Sequence, residues 1–200
     1  MPAAIDFHFD FSSPYGFLAS ERIEAIAARH GRSIDWHPML LGVVFKQTGA
    51  VPLTQVPLKG DYAKRDFARS ARLHGIPFRM PSVFPIPTQA PARIVLWLQR
   101  VRPALAVAVL HALYRGFFVD DVDISNPEHA AAIAADCGVD GAAARAAIDD
   151  PAIKETLKLE NEKAIVAGVF GSPFIIVDGE PFWGVDRLEQ VERWLSTGGW

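Results

Sequence analysis

The 200-residue chain has one cysteine, Cys137, so it can form no internal disulfide and contains no Cys-x-x-Cys pair. That argues against thiol–disulfide chemistry by the protein itself and favours a reducing compartment. Basic residues are not in excess. Against 23 Asp and Glu stand 20 Lys and Arg, a net charge of -3, which leaves out the electrostatic footprint of a nucleic-acid binder. Long apolar runs are missing as well: Ile94 to Leu113 is interrupted by Gln99, Arg100, Arg102 and Pro103, too polar for a bilayer span of ~20 apolar residues. The opening Met1-Pro2-Ala3-Ala4-Ile5-Asp6 has neither the basic nor the apolar region of a secretory signal. The expectation is a cytoplasmic protein with no membrane or nucleic-acid partner and no metal. With 50% hydrophobic and 22% charged residues, the chain is long enough to bury a sizeable core.

What is present is organised around Phe9-Asp10-Phe11-Ser12-Ser13-Pro14-Tyr15-Gly16-Phe17-Leu18, where a strand-like run meets a helix start. A serine at N-cap can accept from the free N–H groups of the first turn, and proline at N1 forfeits no hydrogen bond. The junction sets a hydroxyl beside the positive end of a helix dipole, a place suited to phosphate, carboxylate or thiolate. It also reads as an ordinary capped helix start.

Along the chain, residues 5–11 alternate with period two, placing Asp6, His8 and Asp10 on one face of a strand. His8 is a catalytic candidate or a packed histidine. A helix follows from Pro14 to His30-Gly31, then a second strand over Ser33 to Met39, and a right-handed crossover makes the two strands parallel. A short helix fits Gly42 to Lys46, a loop Gly49 to Gly60, and a basic helix Asp61 to His74. Pro77, Pro81, Pro85, Pro87 and Pro91 then predict an irregular connector. Helices are expected over 93–101, 103–117, 127–137, 141–149 and 151–168, with Asn126-Pro127 and Asp150-Pro151 as starts; no repeat period emerges. Phe174 to Val177 and Glu180 to Trp183 form a hairpin around Asp178-Gly179, a type I′ pair. The last helix opens at Gly184-Val185-Asp186, with Asp186 and Glu189 in capping-box spacing, and Gly198-Gly199-Trp200 is expected to fray.

Strand-helix-strand at one end and hairpin-helix at the other, with helical sequence between, is the plan of an α/β thioredoxin-like fold carrying a large helical insertion. Residues 1–40 and 166–200 would form the thioredoxin-like domain and 41–165 the insertion. In that fold the site lies where the first helix start faces a cis-proline loop, here Ser13-Pro14 and Ser172-Pro173.

Five stretches carry a specific resemblance: Phe9 to Tyr15, Leu41-Gly42-Val43-Val44-Phe45-Lys46, Val56-Pro57-Leu58-Lys59-Gly60-Asp61-Tyr62, Gly168 to Pro173, and Phe182-Trp183-Gly184-Val185-Asp186-Arg187-Leu188. Together they resemble the glutathione-dependent 2-hydroxychromene-2-carboxylate isomerases and the related kappa-class glutathione transferases, within the DsbA-like thiol oxidoreductases. The resemblance implies a serine in place of the first redox cysteine, its hydroxyl bonded to the glutathione sulfur, and Ser13 stands at that position. It implies further that Lys59 meets a glutathione carboxylate and that Ser172 pairs with the peptide beside Pro173. The Val185 backbone and the Asp186 side chain would hold the γ-glutamyl end, Trp183, Gly184 and Pro173 would also contact glutathione, and Lys46 and Thr88 would lie toward an aromatic carboxylate substrate. A homodimer is implied too.

Residue chemistry leaves other readings beside these. Asp186 serves equally as a cap, Lys46 and Lys59 as solvated cations, Phe182 and Trp183 as hairpin packing, and Cys137 as a small core residue. The resemblance implies reversible addition of glutathione thiolate to a conjugated substrate. A kappa-like transferase or peroxidase and a non-catalytic binding module are the alternatives. Two departures bear on the substrate: Ala50 and Pro87 stand where relatives usually have asparagine.

Overall fold

The computed structural model describes residues 3–200. Strand β1 (Ile5–Phe9) leads into helix α1 (Pro14–Arg29) and strand β2 (Ile34–Pro38); α2 (Leu41–Thr48) and α3 (Lys59–Leu73) follow. The helical stretch comprises α4 (Gln89–Val101), α5 (Pro103–Phe118), α6 (Pro127–Asp136), α7 (Gly141–Asp149) and α8 (Pro151–Val166). Strands β3 (Phe174–Val177) and β4 (Glu180–Trp183) and helix α9 (Leu188–Thr197) complete the strand-helix-strand and hairpin-helix plan expected of a thioredoxin-like fold.

The sheet order is β2-β1-β3-β4. β1 runs parallel to β2, with Phe7 opposite Trp36, and antiparallel to β3, with Phe7 opposite Ile175. The parallel pair requires a crossover, which α1 supplies. Pro181 lacks a ladder donor and is tolerated because β4 is an edge strand. Asp178 and Gly179 both have positive φ, 52° and 91°, as a type I′ turn requires.

Both faces of the sheet are covered, which is why Phe174-Ile175-Ile176-Val177 is apolar throughout. Ile175 and Val177 join Ile5, Phe7 and Phe9 in the main core with residues of α1, α5 and α9. Phe174 turns the other way, to Met39, Val44, Ala164 and Val169 under α2 and α8. An aromatic cluster ties α5 to α1 and β1: the Tyr114 ring lies 4.8 Å from Phe11 and 5.7 Å from Phe17, and Phe17 stacks on Phe118 at 5.4 Å. Each such ring removed from water contributes roughly 1.5–3 kcal/mol.

Several expectations shift on contact with tertiary structure. Helix α3 begins at Lys59 and not Asp61, and the loop before it contains a short 3-10 turn over Leu53–Gln55. Helix α4 starts at Gln89, so Pro91 lies inside it, in the first turn where an N–H has no intrahelical partner. A 3-10 turn over Val185–Arg187 precedes α9, and neither start has a side-chain cap. Asp186 therefore makes no capping box, and Glu189 pairs with Arg22 at 2.8 Å. Trp200 does not fray away; its ring meets Trp194 edge-on at 5.1 Å, under the Arg193 guanidinium.

On the α8 side of β1, His8 is 6% exposed and stacks on His37 at 4.7 Å. His37 is held between Asp6 (2.9 Å) and Glu160 (3.3 Å). Burial opposes charge on His37, but the bonds to Glu160 and Asp6 outweigh it and raise its pKa, while the same pairing takes Glu160 down to about 2. Burial and the neighbouring His37 lower His8 to about 4, and its Nδ1 has no partner among the described residues. A free histidine charges near pH 6.5, so between that value and about 4 the unfolded chain binds a proton that the folded chain refuses. Stability at this residue is complete above pH 6.5 and drains away as pH falls toward 4, by roughly 3 kcal/mol. Urea melts of the His8→Phe variant should show that acid slope reduced by this amount, and an unchanged slope would refute the assignment.

Candidate functional site

The end of β1 and the start of α1 form the floor of a cavity of about 1030 Å³. Ser13 is the N-cap of α1: its Oγ accepts from the Gly16 amide at 3.0 Å, and its hydroxyl donates to the Ser172 carbonyl at 2.8 Å. Pro14 occupies the first helical position. The Tyr15 amide, next in line, has no hydrogen-bond acceptor among the described residues and remains a donor at the positive end of the helix.

The facing loop carries the expected cis bond, Ser172–Pro173; a second one, Phe84–Pro85, was not foreseen. Gly16 lets the loop approach, since a Cβ there would stand 2.7 Å from Ser172 Oγ and 2.8 Å from the Tyr114 hydroxyl. Gly184, with φ 108°, holds a backbone conformation that favours glycine, and a Cβ there would meet the Asp186 carboxylate at 2.5 Å.

Beneath the two serines lies Asp10, whose importance was not legible in sequence. Its carboxylate accepts from the Ser12 amide (2.7 Å), the Leu41 amide (2.6 Å) and the Thr88 hydroxyl (2.8 Å). Its amide donates to Ser172 Oγ at 3.0 Å, and its carbonyl accepts from Ser13 N (3.0 Å) and the Tyr114 hydroxyl (2.9 Å). Complete burial raises the Asp10 pKa, against the pull of those three donors. One side chain thus joins the starts of α1, α2 and α4, and the backbone beside it holds the cis loop.

Tyr15 is a second such link. Its hydroxyl donates to Asp66 of α3 at 2.5 Å, and burial together with that carboxylate pushes the phenol's pKa up. Asp66 also accepts from Tyr62 and Arg69, so the α3 wall is braced by a polar network.

Of the residues read from the sequence, the cavity is lined by Ser13, Ser172, Trp183, Gly184, Val185 and Asp186. Trp183 is 54% exposed and its ring meets Phe170 edge-on at 4.9 Å, whereas Phe182 is buried in the core. Pro173 stands just behind the lining. Lys59 is exposed at the first turn of α3 and Lys46 at the last turn of α2, and neither lines the cavity. Thr88 is buried with its hydroxyl on Asp10. The one cation among the lining residues is Arg187, which pairs with Asp186 at 3.2 Å. Cys137 is half-buried at the edge of the main core. Among the described residues no cluster of His, Cys, Asp and Glu is disposed to hold a metal ion, and no helix is long and apolar enough to cross a membrane.

The family model of the DSBA-like thioredoxin domain matches residues 4–196, a span that includes both the serine-capped start of α1 and the facing cis-proline loop. The chain belongs to that family. Within it, the chain is 30% identical over 197 residues to a 2-hydroxychromene-2-carboxylate isomerase of Pseudomonas sp. (strain C18), covering 98% of this chain and 90% of the relative. It is 28% identical over 206 residues to the glutathione S-transferase kappa 2 of Caenorhabditis elegans, covering 96% and 91%. The solved structure of a 2-hydroxychromene-2-carboxylate isomerase superposes with a TM-score of 0.88 at 26% identity, over 96% of this chain and 94% of that one. The DsbA-like frame is therefore shared with enzymes named for isomerisation and for glutathione transfer, while the redox cysteine pair is absent from this chain.

Proposed function

We propose that this protein binds glutathione at the α1 start and uses its thiolate in reversible addition to an aromatic conjugated carboxylate of the 2-hydroxychromene type. The observation that carries the reading is the meeting of Ser13 with the Ser172 carbonyl at 2.8 Å, on a helix start whose Tyr15 amide is free to donate.

Glutathione's cysteine would lie between α1 and the cis loop. Its peptide N–H takes the Ser172 carbonyl beside Pro173, and the Ser13 hydroxyl hydrogen, released from that carbonyl, turns to the sulfur. A free thiol has a pKa of ~8.5; the helix dipole, the Tyr15 amide and the serine hydroxyl all favour its anion. The γ-glutamyl end lies along Trp183, Gly184 and Val185, with its ammonium on Asp186. Lys59 reaches a glutathione carboxylate from the α3 start, and Lys46 the substrate carboxylate from α2, each by its flexible stem. Thr88 acts on the substrate side through Asp10.

In the chemical step the sulfur bonds to the substrate's β-carbon and the double-bond pair moves toward the carbonyl. The former double bond then rotates, and elimination returns the thiolate, so glutathione is not consumed. Transfer to a neutral aromatic electrophile is the second reading, favoured by the apolar wall of Phe45, Val51, Leu53, Phe84 and Ile86, which contains no cation. Assembly as a homodimer belongs to the same proposal.

Calorimetric titration with glutathione, followed by turnover of hydroxychromene carboxylate and of an aryl halide, tests the reading. Isomerisation with glutathione recovered intact is expected. Conjugate accumulating mole for mole would support the transferase, and absence of glutathione binding would overturn both.

A further inference from the structure

Ser12 and Ser13 are adjacent in sequence, yet their hydroxyls are committed differently. Ser13 both donates and accepts within the protein. Ser12 Oγ accepts from the Ile86 amide at 3.2 Å, and its own hydrogen has no acceptor among the described residues. The Ser12 backbone is fixed as well, its amide donating to Asp10 at 2.7 Å. Ser12 is half-buried and lines the cavity, its hydroxyl held by the Ile86 amide and its backbone by Asp10, with the hydroxyl hydrogen to spare.

Its location separates it further from Ser13. Ser13 is bonded to the cis loop through the Ser172 carbonyl, and Ser172 lines the same cavity as Asp186. Ser12 is bonded to Ile86, in the apolar wall with Phe84 and Phe45. An aromatic electrophile would occupy the apolar side. A lone fixed donor in such a wall suits an oxygen on which negative charge develops, because the surrounding apolar groups keep water from competing for it.

We infer that Ser12 is a catalytic residue that donates a hydrogen bond to the carbonyl oxygen of a conjugated electrophile as glutathione thiolate adds to it. This rests on the proposed glutathione site. The sulfur's electron pair forms the S–C bond at the β-carbon, the C=C π pair becomes the enolate C=C bond, and the carbonyl π pair comes to rest on oxygen. Ser12 keeps its proton throughout and stabilises that charge by hydrogen bonding. Reversal expels the thiolate, so no oxidant, reductant or net proton is required.

The test compares Ser12→Ala and Ser12→Thr with the parent protein on two electrophiles: an aryl-substituted enone, in which charge builds on oxygen, and a benzyl halide, in which none does. Glutathione binding is followed in each by thiolate absorbance. For Ser12→Ala, kcat on the enone should fall roughly 10²-fold, the benzyl halide rate should fall by a much smaller factor, and the thiolate signal should persist. Ser12→Thr should restore most of the enone rate. Equal losses on both electrophiles would overturn the inference and leave Ser12 as a mere brace for the Ile86 amide; so would an undiminished enone rate in Ser12→Ala. If the parent protein itself shows no thiolate signal and no glutathione-dependent turnover, the underlying site reading fails, and this inference with it.

Discussion

Replacing Ser13 with alanine is expected to reduce isomerisation at saturating glutathione roughly 10²- to 10³-fold, the cost of losing one well-placed donor to an anion. Ser13 caps α1 through the Gly16 amide and bonds the Ser172 carbonyl, so the same oxygen fixes the geometry and faces the place assigned to sulfur. Losing an N-cap costs about 1 kcal/mol of stability, too little to unfold a domain whose core includes Ile5, Phe7 and Phe9 of β1. The variant should therefore fold and bind glutathione, but with the thiol more protonated at neutral pH. Steady-state kinetics with glutathione in excess reads the effect. A cysteine at the same position is a poor rescue, because a thiol is a weak donor. Full turnover in Ser13→Ala would remove the residue from its role.

Asp10→Leu is expected to destabilise the fold by roughly 3–9 kcal/mol, because three donors aimed at the carboxylate lose their acceptor at once, each costing about 1–3 kcal/mol. That is a large share of the 5–15 kcal/mol typical of a domain. Asp10→Asn preserves the shape, but its amide must place N–H against one of the donors, so it should fall between leucine and the parent protein. Thr88→Val removes a single donor and should cost on the order of 1 kcal/mol. Denaturant unfolding of the three variants provides the ranking. A loss under about 1 kcal/mol in Asp10→Leu would contradict the role given to this carboxylate.

The sequence disclosed the elements well wherever the deciding interactions are local. Period-two alternation marked β1 and β2, the Asp178-Gly179 pair marked the hairpin, and Asn126 and Asp150 act as caps, accepting from Glu128 and Ala152 amides. It failed where a distant partner decides. Asp186 and Glu189 have capping-box spacing, but the 3-10 turn and Arg22 of α1 divert them. Thr88 is read as a substrate contact by resemblance, while its hydroxyl lies on Asp10, 78 residues away.

Within the site, Ser13 is legible because N-cap and Pro14 are neighbours. Its tie to Ser172, 159 residues on, is legible only through the fold. The character of Asp10 is invisible in sequence, since its partners come from α2, α4, α5 and the cis loop. Nor can spacing show which of two adjacent serines has a hydrogen to spare, because that depends on where Ile86 is carried by the proline-rich connector.

On the proposed function, the α1 start holds glutathione as its thiolate. A pH titration of ultraviolet thiolate absorbance on the protein–glutathione complex tests it most directly. The expected midpoint lies well below the ~8.5 of a free thiol and moves back toward that value in Ser13→Ala. A midpoint at the free-thiol value in the parent protein, or one that Ser13→Ala leaves in place, would contradict it.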